Sequence, residues 1–230
     1  MSFDETKLNQ LQDKLQYKYK DISLLQMALT HSSYANENKK NGAVSNERLE
    51  FLGDSVLGMT VAELIYRTNP QMTEGQMTRL RSELVCEKSL ATLAAKLRLG
   101  DCLMLGRGEE KGGGRIRSSI LADAVESIIA SIYIDGGFRA IKRFISKHFA
   151  ALADSTRFEA TDYKTALQEV IQVKSGQFLS YRTIDESGPD HMKIFTVKVM
   201  LNDVQIGSGS GPSKKEAEQM AAKSALSAYI

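Results

Sequence analysis

Asn46-Glu47-Arg48-Leu49-Glu50-Phe51-Leu52-Gly53-Asp54-Ser55 is the stretch on which the reading of this chain turns. Glu47, Glu50 and Asp54 stand at i, i+3 and i+7, so in a helix they leave one face. Phe51 and Leu57 border that face, and Gly58 and Val61 continue it one turn on. The spacing therefore predicts carboxylates drawn away from water, not a solvated stripe. Ser45 or Asn46 supplies the N-cap, and apolar spacing runs from Leu49 to Tyr66 until Asn69-Pro70 stops it. A second acidic pair, Asp123 and Glu126, sits at i, i+3 within Ile120–Ile129. That segment is apolar nearly all round, which predicts burial at the centre of a domain.

Outward from these two segments, the first two-thirds of the chain keeps the helical period. Leu8, Leu11 and Leu15 mark a first amphipathic helix, and Leu24, Leu25, Ala28 and Leu29 a second. The polar run from Ala35 to Ser45 reads as a loop, Met77 to Leu99 as one helix ending at Gly100, and Gly106 to Gly114 as a Gly-rich loop. Ser118 or Ser119 caps a helix from Ile120 to Ile134, closed by Asp135-Gly136-Gly137, and a last helix runs from Phe138 to about Leu152.

Past a small, polar stretch the period changes. Tyr163 to Lys174 is helical, whereas Phe195, Val197, Val199 and Leu201 alternate with their neighbours as in a half-buried strand. Tyr181–Ile184 and Val204–Gly207 read as flanking strands, with Asn202-Asp203 as a turn, and Lys214 to Tyr229 closes as an alanine-rich helix. The expected architecture is an all-α domain over residues 1–153, a linker over 154–160, and a small α+β domain of order α-β-β-β-α over 161–230.

Composition narrows the function classes. The 42% hydrophobic and 25% charged content is ordinary for a globular protein, and 230 residues suffice for two cores. No apolar run is long enough for a membrane span, and the polar start Met1-Ser2-Phe3-Asp4-Glu5 lacks a secretory pattern, so a cytoplasmic protein is expected. Cys86 and Cys102 fit neither a disulfide framework nor a zinc spacing and are expected as packed thiols. Residues 161–230 hold 8 Lys+Arg against 8 Asp+Glu, so nucleic-acid binding there must rest on local arrangement.

Withdrawn carboxylates need an explanation, because desolvating an ion costs on the order of several kcal/mol without a counter-charge. Neither acidic helix carries Lys or Arg on its carboxylate face. Either cations from elsewhere, such as Arg81, complete buried ion pairs, or the two helices aim acids into a shared cation site. Oxygen donors with no nearby Cys or His favour Mg²⁺ or Mn²⁺ over zinc. A cation held by few carboxylates keeps open positions, which suits phosphodiester hydrolysis.

The stretch 46–55 resembles the signature of the ribonuclease III family at every one of its ten positions. Ala28-Leu29-Thr30-His31-Ser32-Ser33-Tyr34, Gly112-Gly113-Gly114-Arg115, and Ser119–Asp123 with Glu126 extend the likeness over most of residues 5–150. The resemblance implies an endonuclease that cuts double-stranded RNA as a homodimer through a divalent-metal-activated water. It further implies 5′-phosphate and staggered 3′-hydroxyl ends, the processing of ribosomal, messenger and transfer RNA precursors, and no small-molecule cofactor. Carried over by position, Glu50, Asp123 and Glu126 are metal ligands. Asp54 acts with Glu126 in catalysis, either ligating metal or positioning water. Glu47 and Glu74 match accessory acids near the scissile strand, and Phe51 an aromatic that packs into the partner subunit. His31 is expected as a hydrogen-bonded structural residue.

The segment 161–230 is similar to the double-stranded RNA-binding domain, most clearly over Gly207–Ala222. Lys214 and Lys215 open a helix, where cations oppose the helix dipole unless an anion such as phosphate sits opposite them. The resemblance implies phosphate contacts from Ser213, Lys214 and Lys215. It also implies minor-groove contacts from Gln168, Glu169 and the Gly188–His191 loop, reading A-form shape over about 16 base pairs.

Overall fold

A computed structural model describes residues 3–150, 153, 163–172, 176–189 and 193–227. The chain divides into two compact units, Met1–Asp154 and Ser155–Ile230.

The first unit is built around one long helix. Asp4 caps α1 (Glu5–Leu15) by accepting from the backbone N–H groups of Thr6 and Lys7, and Leu8, Leu11 and Leu15 turn inward. Asp21 caps α2 (Ile22–Ala28), and His31 caps α3 (Ser32–Glu37). The loop expected over residues 35–45 therefore starts later, because α3 carries on through Glu37. Next come α4 (Glu47–Thr68), α5 (Glu74–Val85), α6 (Glu87–Leu97), α7 (Arg107–Lys111) and α8 (Ser118–Phe149), with α8 kinked at Gly137. Ile120, Val125, Ile128, Ile129 and Ile132 of α8 are buried against Leu49, Leu57, Val61 and Ile65 of α4 and against α6. At the kink Asp135 accepts from the Tyr17 hydroxyl at 2.6 Å and from the backbone N–H groups of Lys20 and Asp21.

The single helix expected from Met77 to Leu99 is two. Cys86 adopts extended backbone (φ −70°, ψ 155°), ending α5 and starting α6. At 100° per residue, Leu80 and Leu84 would point roughly 125° away from Leu90, Leu93 and Leu97 on one straight helix. The break lets both stripes face the core. It also corrects the expectation of packed thiols: Cys86 at the break is exposed, and Cys102 is only half-buried. The Gly-rich stretch is likewise more ordered than expected. It contains α7 and a turn of 3₁₀ helix at Gly114–Ile116. Arg115 ties it down, donating to the Gly100 and Leu103 carbonyls and to the Glu110 carboxylate.

The second unit runs α9 (Tyr163–Gln172), β1 (Leu179–Ser187), β2 (Ile194–Leu201), β3 (Val204–Gly211) and α10 (Lys214–Leu226). The strands form an antiparallel sheet of order β1-β2-β3, with Asn202 and Asp203 turning at φ 48° and 65°. Val197 and Val199 meet Leu167 and Ile171 of α9 and Ala217, Ala221, Ala222 and Ala225 of α10. Small residues let α10 approach closely: a Cβ at Gly209 would overlap the Ala221 backbone nitrogen. All of residues 154–160, where the linker was expected, lie outside the described residues.

Candidate active site

The acids are brought together by the crossing of α4 and α8. A Cβ at Gly53 would overlap the Glu126 carbonyl, so only glycine lets the two helices approach this closely. The start of α4 is anchored as well. Asn46 is buried, its N–H donates to the Thr30 carbonyl at 2.8 Å, and its own carbonyl accepts from the Ser127 hydroxyl at 3.3 Å.

One carboxylate oxygen each from Glu50, Asp123 and Glu126 lies within 4.8 Å of the others, and all three side chains are half-buried. Among the described residues none of these acids, nor Asp54, is ion-paired, so the alternative of buried salt bridges is not what the structure holds. The consequence is electrostatic. Burial, followed by repulsion from Asp54, Asp123 and Glu50, pushes the Glu126 carboxyl up to about 7. Glu50 is raised by burial and then by Asp123, Glu47 and Asp54. Asp123 is raised by burial, with Glu87 adding to the shift and His31 opposing it. Three hard-oxygen donors facing one another with no Lys or Arg paired to them among the described residues fit a divalent cation by their own chemistry.

The remaining expected residues fall in different places. Glu47 and Asp54 are exposed, which corrects the expectation of a wholly withdrawn face. Glu47 accepts from the Ser45 hydroxyl at 2.8 Å. Glu74 stands in the first turn of α5, accepts from the Thr78 hydroxyl, and is not one of the clustered carboxylates. Phe51 is 80% exposed, and Met59 and Tyr66 extend the same uncovered apolar face of α4. His31 pairs through Nδ1 with the Ser33 hydroxyl at 2.8 Å, as a structural residue does. A concavity of about 770 Å³ lined by Tyr34, Glu37, Arg107 and Arg115 is a separate place that none of the acids lines.

In the second unit Gln168 is exposed on α9, and Glu169 lies on the same helix. His191 lies outside the described residues. The Ser213 hydroxyl accepts from the Glu216 N–H at 3.2 Å as the N-cap of α10. Lys214 and Lys215 are both exposed, but their surroundings differ. Lys214 pairs with Glu186 of β1 at 2.7 Å and lies over the Phe195 ring at 5.4 Å. Lys215 has no ion pair among the described residues.

Three contributors were not singled out from the sequence. Gly53 carried a signal, a glycine in the middle of an apolar helical pattern. The link between Asn46 and Ser127 and the pairing of Glu186 with Lys214 join residues far apart in the chain, and spacing holds no trace of either.

Comparison with known proteins finds relatives of both units. The family model described as Ribonuclease-III-like matches residues 21–152, and the Double-stranded RNA binding motif matches residues 163–229. Relatives named Ribonuclease 3 from Pelotomaculum thermopropionicum and Caldanaerobacter subterraneus are 48% and 49% identical. Each alignment covers 96% of this chain, with 93% and 97% of the respective relative. The solved nuclease domain of ribonuclease III from Campylobacter jejuni is 41% identical with a TM-score of 0.57, spanning 62% of this chain and 99% of that one. Full-length likeness at this level, with both units matched, means that the chain belongs to the ribonuclease III family, the metal-dependent endonucleases of double-stranded RNA.

Proposed function

We propose that Glu50, Asp123 and Glu126 hold Mg²⁺, with Mn²⁺ able to substitute, and that duplex RNA is cut beside them to leave 5′-phosphate and staggered 3′-hydroxyl ends. The observation that carries this reading is the convergence of three half-buried carboxylates within 4.8 Å of one another, none of them ion-paired to a Lys or Arg among the described residues. The chemistry supplied by such a cation is neutralisation of charge at the scissile phosphate and a lowered pKa for nearby water. Asp54, exposed beside the cluster, accepts a hydrogen bond from the attacking water and orients it. Glu126, beside Asp54 and among the ligands of the cation, acts with it in placing that water. The water oxygen bonds to phosphorus, the bond from phosphorus to the 3′ oxygen breaks, and that oxygen leaves with a proton.

The finer assignments follow the same reading. Glu47 and Glu74 are accessory acids along the path of the cut strand. Ser213, Lys214 and Lys215 meet phosphates, while Gln168, Glu169 and His191 enter minor grooves. A second copy of the chain covers the apolar face of α4 around Phe51. The Campylobacter jejuni nuclease domain, described as having a flexible region involved in dimer formation, supports pairing of two nuclease units but does not say through which face. No helix of the described residues is long and apolar enough to cross a membrane. We place the activity in the cytoplasm, on precursors of ribosomal RNA and some messenger and transfer RNAs, with no small-molecule cofactor.

The test is cleavage of a perfect RNA duplex by the full chain in Mg²⁺ and in EDTA, with the ends mapped chemically. Cutting only in Mg²⁺, with 5′-phosphate ends, is expected. Equal cutting in EDTA, or 5′-hydroxyl products, would overturn the assignment.

A further inference from the structure

Lys214 and Lys215 are adjacent and both exposed, yet only Lys214 is held by an ion pair among the described residues. The Lys214 ammonium lies 2.7 Å from a Glu186 carboxylate oxygen, the distance of a charge-assisted hydrogen bond. It also lies over the face of Phe195. Glu186 and Phe195 are direct partners across β1 and β2, so one cross-strand pair supplies both contacts. Glu186 is drawn toward the ionised form, first by its hydrogen bond to Lys214. The pair is nonetheless wet, with 56% of the Lys214 side chain and 42% of the Glu186 side chain exposed. A wet ion pair of this kind exchanges partners easily.

We propose that Glu186 is a built-in competitor for RNA phosphate at Lys214, holding the lysine against β1 in the free protein and yielding it to duplex RNA. The inference rests on the reading of Lys214 as a phosphate contact. A carboxylate oxygen and a phosphate oxygen make the same hydrogen bond to an ammonium group, so they contend for the same donor. Once a phosphate arrives, Glu186 stands a few ångströms from a like charge and opposes it. It therefore weakens binding, and it reduces the counterions released when RNA binds. Lys215 keeps its full charge for phosphate. The two lysines thus divide the work, one as a constant electrostatic contact and the other as a contact held in check.

The test is duplex RNA binding by the full chain in EDTA, where cutting is suppressed, followed by fluorescence anisotropy across a range of NaCl concentrations. Glu186→Gln should bind about fivefold more tightly at low salt, the effect of removing one like charge a few ångströms away in water. Its plot of log affinity against log salt should steepen by roughly one unit. Glu186→Asp keeps the charge and should keep the wild-type slope, which a merely structural role for the side chain would not predict. In a Lys214→Ala background, Glu186→Gln should no longer steepen the slope. Wild-type or weaker binding by Glu186→Gln, with Lys214→Ala still impaired, overturns the competitor and leaves the phosphate contact standing. Wild-type binding by Lys214→Ala removes both.

Discussion

The two units handle charge in opposite ways. In the nuclease unit, Glu50, Asp123 and Glu126 face one another without a Lys or Arg ion pair among the described residues, and each is pushed toward its neutral form. In the RNA-binding unit, Lys214 already has a carboxylate partner. On the proposed reading the first site carries a repulsion that a bound cation would relieve, and the second a contact that an arriving phosphate would have to displace. The first arrangement would favour retention of an ion, and the second a partner that comes and goes.

The largest effect should come from breaking the first of these sites. Glu126→Gln keeps the shape of the side chain and removes its charge, so cleavage of duplex RNA in Mg²⁺ should fall by roughly 10²–10³-fold or more, the scale for losing one preorganised charged group. Binding of the same duplex in EDTA should hardly change, because the RNA-binding unit is untouched. Asp54→Asn should behave alike through loss of the water-orienting group. Single-turnover cleavage by Glu126→Gln within a few-fold of wild type would mean that the cluster is not where the chemistry happens.

A smaller effect should come from the second site. Changing both Lys214 and Lys215 to Ala should weaken binding of all duplexes alike and flatten the salt dependence by roughly one log–log unit for each phosphate no longer neutralised. Cutting at saturating RNA and low salt should largely recover, since the acids remain. Gln168→Ala should leave the slope alone. If the double variant binds with the wild-type slope, a different face of the unit carries the RNA. If it binds normally yet fails to cut at saturation, the division of labour between the units is wrong.

What the sequence made legible, and what it hid, follows the same physics. Helical spacing placed Glu47, Glu50 and Asp54 on one face and Asp123 with Glu126 on another, whereas the choice of Glu50, Asp123 and Glu126 as the converging set came from the family resemblance. The exposure of Asp54 and Glu47 could not be read from that spacing. Phe51 and Leu57 border them, and an apolar residue turned to a second copy has the same pattern as one turned to its own core. Leu57 is buried, whereas Phe51 is not. The break at Cys86 was hidden because the apolar stripe merely rotates there, with no proline or glycine to mark it. The order of the Gly106–Gly114 stretch depends on Arg115 reaching three partners, and Glu186 reaches Lys214 only after the sheet has formed. Local pattern was visible in both units; long-range polar contacts were not.

The smallest expected effect concerns stability without metal. A carboxyl whose pKa is raised by folding favours the folded state while protonated, and that contribution is lost as pH rises through the folded value. For Glu126 the window runs from the ordinary 4.5 up to about 7, and Glu50 and Asp123 act in the same direction. Solvent screens much of this at a half-buried cluster, which leaves about 1 kcal/mol, or roughly 2–4 °C in melting temperature. His148 acts the other way. Burial, then Lys147 and Lys96, hold it down to about 4, so its contribution is lost as pH falls below its ordinary 6.5. Comparison with Glu126→Gln cancels His148. In EDTA the variant should therefore melt higher than wild type at pH 8, and the gap should shrink toward pH 5. Added Mg²⁺ should raise the melting temperature of the wild type more than that of the variant, through preferential binding to the folded state. A gap that is the same at pH 5 and pH 8, with both proteins answering Mg²⁺ equally, would mean that the carboxylates are not strained and that the contrast between the two units does not hold.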